Sequence, residues 1–390
     1  RHTMNNYDFK NLPDRHGTGS IKWERYDDRD ILPMWVADMD FRSPPEVEEA
    51  LQKRVAHGVY GYTNPTREAS QAVCQYMRDV HSCNIDESWL LWTPGLVPAL
   101  NTAARAFCDS GEGVITTVPI YPPFLTAPRY QDRDLISVAL KNENGFYTFD
   151  WNALEESVTR NTRVFFLCNP HNPVGRVWSM DELKRVVDFC DRHHLVLVSD
   201  EIHCDLILSP DQHHYTALQV DPWVTEHGVT LMAPSKTYNL CGLACSFVII
   251  PDDSLRRTFR RSMRGLFNEL NCLGYAACAA AYRHGDPWRR ELLNVLRQNY
   301  AEIIRFTKES MPLIKVSPLQ ATYLAWLDIR DLKLHHPRTH FERRGVGLND
   351  GTEFGVPGFV RLNFGCPSVR LQEALQRMKI AYDDAVNEGC

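Results

Sequence analysis

Six short apolar runs, at residues 90–93, 113–117, 164–167, 195–198, 229–232 and 244–250, alternate with stretches of helical periodicity that include 97–108, 180–193 and 255–267. Runs that are apolar throughout, not at every second position, are strands covered on both faces. Interleaved with helices, they predict an α/β architecture in which a mostly parallel sheet is covered by helices on each side.

With 390 residues the chain exceeds one ordinary core, so two packed domains are expected. Pro44-Pro45 followed by Glu46-Val47-Glu48-Glu49 reads as a helix start, with proline and acids in the first turn. After Asn271 the character changes. A long helical stretch runs over 271–311, broken near Gly285-Asp-Pro287, and is followed by strand-like runs at 322–327 and 360–363 and an amphipathic helix at 368–386. This predicts a large domain over 45–283 and a smaller α+β domain made of 1–44 and 284–390. The stretch 335–350 is irregular and has no assigned place. No internal repeat is visible.

A hydrophobic content of 44%, a charged content of 24% and a net charge of −6 describe a soluble globular chain without a basic block, which argues against nucleic-acid and anionic-membrane partners. The 12 cysteines are scattered singly, with no CxxC pair and no zinc spacing. Neither a metal nor a disulfide framework is expected, and many free thiols fit a reducing cytoplasm. No apolar run approaches a spanning length, the start lacks a secretory pattern, and Arg1-His2-Thr3 ahead of Met4 carries no functional reading.

Two runs end in chemistry. The run 195–198 is followed by Ser199-Asp200-Glu201, and the run 229–232 by Ala233-Pro-Ser235-Lys236-Thr237. A lysine and an aspartate at the C-terminal ends of neighbouring strands are what pyridoxal phosphate requires. The lysine condenses with the aldehyde, and the carboxylate keeps the pyridine nitrogen protonated. Taken singly, Lys236 reads as a solvated surface lysine and Asp200 as a loop acid or a helix cap.

Four further positions are weaker alone. Gly95, with Leu96 and Val97, opens a helix after a strand and can present backbone N–H groups to a phosphate, or is an ordinary glycine turn. Tyr121, between Pro119 and Pro122-Pro123, can lie against a planar ring or simply pack at a rim. In Asn169-Pro-His-Asn172-Pro-Val-Gly175 the prolines force a turned backbone that leaves the Asn172 amide for a ligand, or the segment is a plain loop. Arg361, inside the apolar run Phe359-Val-Arg-Leu-Asn-Phe-Gly365, clamps a carboxylate or forms a structural salt bridge.

In this order and at these separations the set resembles the fold-type I pyridoxal-phosphate enzymes, specifically the class I/II aminotransferase superfamily. Arg15-His-Gly-Thr-Gly-Ser-Ile-Lys-Trp-Glu24, Leu32-Pro-Met-Trp-Val-Ala-Asp-Met-Asp-Phe41, Gly58-Val-Tyr-Gly-Tyr-Thr63, Ser199-Asp-Glu-Ile-His203 and Arg361-Leu-Asn-Phe-Gly-Cys-Pro367 narrow it. They resemble the MalY/PatB-type carbon–sulfur β-lyases, which include cystathionine β-lyases and cysteine desulfhydrases.

The resemblance implies a seven-stranded sheet and pyridoxal 5′-phosphate attached at Lys236. Asp200 would pair with the pyridine nitrogen, Asn172 with the 3′-oxygen, and Tyr121 would stack on the ring. Gly95, Leu96, Val97 and Ser235 would approach the phosphate, joined by Tyr62 from the neighbouring subunit of a homodimer. Arg361 and the Ala37 backbone would hold the substrate carboxylate. Two positions depart from aminotransferase usage: Ala244 replaces an arginine eight residues after the lysine, and His203 replaces a tyrosine three after the aspartate. Both departures are shared with the lyases and favour elimination from a sulfur amino acid over transamination. An aminotransferase on the same site is the alternative, and some members of the lyase group resemble regulators that bind a transcription factor.

Overall fold

The computed structural model describes residues 7–389. Arg1-His2-Thr3 and the remainder of 1–6, like Cys390, lie outside the described residues.

Seven strands form the main sheet: β1 (Leu90–Thr93), β2 (Gly113–Val118), β3 (Asp134–Ala139), β4 (Thr162–Cys168), β5 (Val196–Asp200), β6 (Gly228–Met232) and β7 (Ser246–Ile249). Their spatial order is β1-β7-β6-β5-β4-β2-β3. All neighbouring pairs are parallel except those of β7, which runs antiparallel to both β1 and β6. The central strands β4, β5 and β6 are buried almost end to end, as their unbroken apolar character demands.

The six strands expected from the sequence are present, and β3 is added at the edge. The expected strand at 244–250 starts later, at Ser246, because Ala244 is left-handed, with φ of 48°. The expected helix at 255–267 runs from Asp253 to Met263 and stops before Gly265, whose φ is 80°.

Helix starts follow local chemistry. Pro45–His57 begins on Pro45 with Glu46 and Glu48 in its first turn and ends on left-handed Gly58. Met180–Arg192 opens with a reciprocal capping box between Ser179 and Glu182.

A second sheet of four strands joins Lys315–Val316, Leu324–Asp328, Phe359–Asn363 and Asn349–Asp350, all antiparallel. The long helices Asp286–Ser310 and Ser368–Glu388 accompany it. The N-terminal segment is sewn into this part of the molecule: Leu32–Pro33 pairs in parallel with Val346–Gly347. Leu32, Met34, Ala37, Met39 and Phe41 share one apolar core with Leu324, Leu327, Leu362 and Leu375. The irregular stretch 335–350 resolves into the short helix Pro337–Glu342 and strand Asn349–Asp350. The eleven described cysteines are free thiols. Among the described residues no helix is long and apolar enough to cross a membrane.

Candidate active site

A cavity of about 260 Å³ opens where the parallel strands end. β1 delivers Gly95, Leu96 and Val97 to it, β2 delivers Tyr121, β4 delivers Asn172, β5 delivers Asp200 and His203, and β6 delivers Ser235 and Lys236. Because β7 runs the other way, its first residue, Ser246, faces the same space. Crevices at strand ends are the usual ligand sites of such sheets.

Lys236 is half-buried, and its Nζ donates to the Ala37 carbonyl at 2.9 Å. Burial opposes the charged amine, but Cys241 and Tyr121, when ionised, and Asp38 favour it, and the balance holds Nζ above the ordinary lysine range. The same carbonyl accepts the Tyr323 hydroxyl at 2.9 Å, and the Cys241 thiol lies 4.0 Å away.

Asp200, 4% exposed, receives on its carboxylate one backbone N–H, from Ile202 at 3.1 Å. Burial pushes its acid constant up to about 7, Glu201 adds to this, and the Ile202 N–H and Lys236 offset only part. Such a carboxyl lacks a cationic N–H partner. His203, also buried, has an Nδ1 without a partner among the described residues; burial first, then Lys236 and Arg361, depress it to about 3, so the ring is neutral.

Arg361 reaches in from the second sheet. Its Nη1 donates to Asn172 Oδ1 at 3.1 Å, and Nη2 donates to Asn349 Oδ1 at 3.0 Å and to the Trp35 carbonyl at 3.3 Å. Its guanidinium lies 4.8 Å from the centre of the Phe354 ring. No carboxylate pairs with it among the described residues, and its buried Nε has no partner. Burial lowers its acid constant to about 10. The salt-bridge alternative therefore falls away, and a buried guanidinium without a carboxylate partner is left to receive an anion.

These features fit pyridoxal phosphate. Asp200 and the neutral His203 are buried groups lacking the partners that a cationic heterocycle and its substituents supply. The cavity also has a cradle fit for a phosphate: helix Leu96–Phe107 starts on Gly95, whose φ of 157° and ψ of 168° suit glycine alone. There the backbone N–H groups and the helix dipole favour an anion. Ala244 lines the cavity, so no guanidinium assists from that position.

Of the residues expected from the sequence, Gly95, Leu96, Val97, Tyr121, Asn172, Asp200, His203, Ser235, Lys236 and Ala37 meet in this cavity. Arg361 joins through Asn172. Tyr62 does not: its side chain is 98% exposed, away from its own chain's cavity. The sequence reading missed Cys241, which lines the cavity and lies inside the Lys236 run, and Tyr323, whose place just ahead of the apolar strand Leu324–Asp328 gives no hint that its hydroxyl bonds the Ala37 carbonyl.

The chain belongs to the aminotransferase class I and II family, whose family model matches residues 29–378. Within it the chain is similar to cystathionine β-lyase PatB of Bacillus subtilis, at 37% identity over 96% of this chain and 99% of the relative. It is also similar to protein MalY of Escherichia coli, at 31% identity over 95% and 97% of the two chains. The crystal structure of cystalysin from Treponema denticola, which contains a pyridoxal 5′-phosphate cofactor, superposes with a TM-score of 0.93 at 36% identity, covering 97% of this chain and 99% of that one.

Proposed function

We propose that this chain is a pyridoxal-phosphate-dependent carbon–sulfur β-lyase, releasing a thiol, pyruvate and ammonia from L-cystathionine, L-cysteine or a related S-substituted amino acid. The observation that carries the reading is a buried guanidinium, Arg361, with no carboxylate of its own, bonded to a cavity that holds an amine and a buried acid. The relatives named cystathionine β-lyase supply the choice of reaction.

When bound, the cofactor supplies the electron sink that lets the Cα proton and the Cβ sulfur leave. Lys236 would hold it covalently and then move the proton at Cα. Asp200 would keep the ring nitrogen protonated, and Asn172 and Tyr121 would seat the ring. Gly95, Leu96, Val97 and Ser235 would hold the phosphate with neutral donors. Arg361 and the Ala37 backbone orient the substrate carboxylate, which places the Cα–H beside Nζ.

The working unit is a homodimer. Val59, Tyr60 and Tyr62 protrude from residues 58–66, which border a groove of about 860 Å³ between helices Pro45–His57 and Cys272–His284. Tyr62 extended this far serves a second copy's phosphate end. The eleven free thiols favour a reducing cytoplasm.

The family also contains aminotransferases, so the deciding experiment supplies L-cystathionine without a keto acid. Stoichiometric pyruvate supports the lyase, and strict dependence on an acceptor rejects it. Lys236→Ala should abolish both turnover and the visible cofactor band.

A further inference from the structure

None of the residues of the N-terminal motif Arg15–Glu24 lines the cavity, yet the motif ends on one loop beside it. Lys22 and Asp40 are each 1% exposed, and their side chains pair at 2.9 Å. The Asp40 carboxylate also accepts Arg15 Nη1 at 2.9 Å and Trp23 Nε1 at 3.0 Å, so every buried charge there is matched. Lys22 Nζ further donates to the Asp38 carbonyl at 3.2 Å, and Arg15 grips the Asp38 carboxylate with both terminal nitrogens, at 2.7 and 3.1 Å.

Two amides hold the same loop from the site side. Asn239, three residues past Lys236, donates to the carbonyls of Met39 and Phe41 at 2.8 Å and accepts the Met39 N–H at 2.9 Å. Asn363, two past Arg361, donates to the carbonyls of Val36 and Asp38 at 2.8 Å. Between these grips lies Ala37, whose carbonyl receives Lys236 Nζ.

We propose that the Lys22–Asp40 pair with Arg15 is a positioning device for Lys236: it fixes the Ala37 carbonyl, and through it the direction and proton affinity of Nζ. Apolar residues would fill the same volume, but only directional bonds set a carbonyl's orientation. Lys22, Asp40 and Arg15 are thus positioning residues, since none reaches the reacting atoms. The groups facing Nζ are Cys241, Tyr121, Asp38 and Arg361.

The test replaces the pair by apolar residues, Lys22→Met with Asp40→Leu, a change that often leaves stability intact. In the cofactor-loaded variant the pH midpoint of the visible band should move by roughly half a unit or more. Turnover should fall about tenfold or more with KM little altered, as for a misplaced catalytic group. In the cofactor-free chain, competitive acetylation of Nζ should become several-fold faster at a given pH, because the ammonium has lost a fixed acceptor. A variant that melts like the parent and keeps the parent's midpoint, turnover and acetylation rate overturns the proposal. Should the double variant fail to fold, the half-buried Arg15→Gln decides: a shift in the acetylation profile supports the device, and no shift overturns it. The inference rests on Lys236 as the cofactor lysine. A parent chain that binds no pyridoxal phosphate would sink that reading, and the acetylation arm would still decide this one.

Discussion

Arg361 donates from Nη1 to the side-chain oxygen of Asn172 at 3.1 Å, joining the second sheet to the end of β4. The proposed carboxylate anchor and the proposed partner of the cofactor's 3′-oxygen therefore position each other. Arg361→Gln should raise KM for the amino acid and lower kcat/KM by roughly two to three orders of magnitude, within the range of about 2–5 kcal/mol for deleting one member of a buried charged contact. Cofactor binding should survive. Steady-state kinetics beside the visible spectrum of the same sample checks both parts.

Asp200 makes the cofactor-free protein pH-sensitive. Its folded acid constant is raised from 3.8 to about 7, so the folded chain keeps a proton that the unfolded chain has released. Stability from this group is full below pH ~4 and is lost as pH rises through ~7, by on the order of 4 kcal/mol at most. Asp200→Asn should remove this dependence. In the absence of cofactor the variant should be the more stable chain at pH 8 and lose that advantage near pH 4, as read from denaturant midpoints. Pyridoxal phosphate should then stabilise the parent far more than the variant.

Tyr62 gives a test of the shared site. Lys236→Ala and Tyr62→Ala chains should each be weak alone. Mixed and re-associated in equal amounts, they form hybrid dimers in which one site carries both defects and the other neither. Recovery of up to about a quarter of parental activity is expected for random pairing in a symmetric dimer. No recovery would assign Tyr62 to its own chain or to no site.

Gly175 closes the Asn169–Gly175 turn with φ of 71°, and a Cβ there would lie 2.1 Å from Leu319 Cδ1. Gly175→Ala combines left-handed strain with overpacking, each costing about 1–3 kcal/mol. A drop in melting temperature of several degrees is expected, together with a weaker hold on Asn172. Calorimetry of the cofactor-free chain measures the first, and cofactor titration the second.

The sheet was legible where strands are buried on both faces. Val164, Phe165, Phe166 and Leu167 leave no alternation to misread, and the lysine and aspartate stand at the ends of such runs. Strand β3 escaped because it is an edge: along Asp134–Ala139 only Val138 is buried, so its residues carry no unbroken apolar signal. Arg361 was visible as a charge within an apolar run, but its lack of a carboxylate partner needed coordinates. The part played by Lys22 and Asp40 was hidden for a related reason. They lie 18 residues apart, and nothing in their spacing says that both are buried against one carbonyl-bearing turn.

The amides of Asn239 and Asn363 carry a mechanical consequence. Both grip residues 36–41, so the helix that carries Lys236 and the strand that carries Arg361 are bolted to one plate. Any closing movement over a bound amino acid must pivot elsewhere in the chain, and heating should release cofactor and substrate affinity at a single temperature.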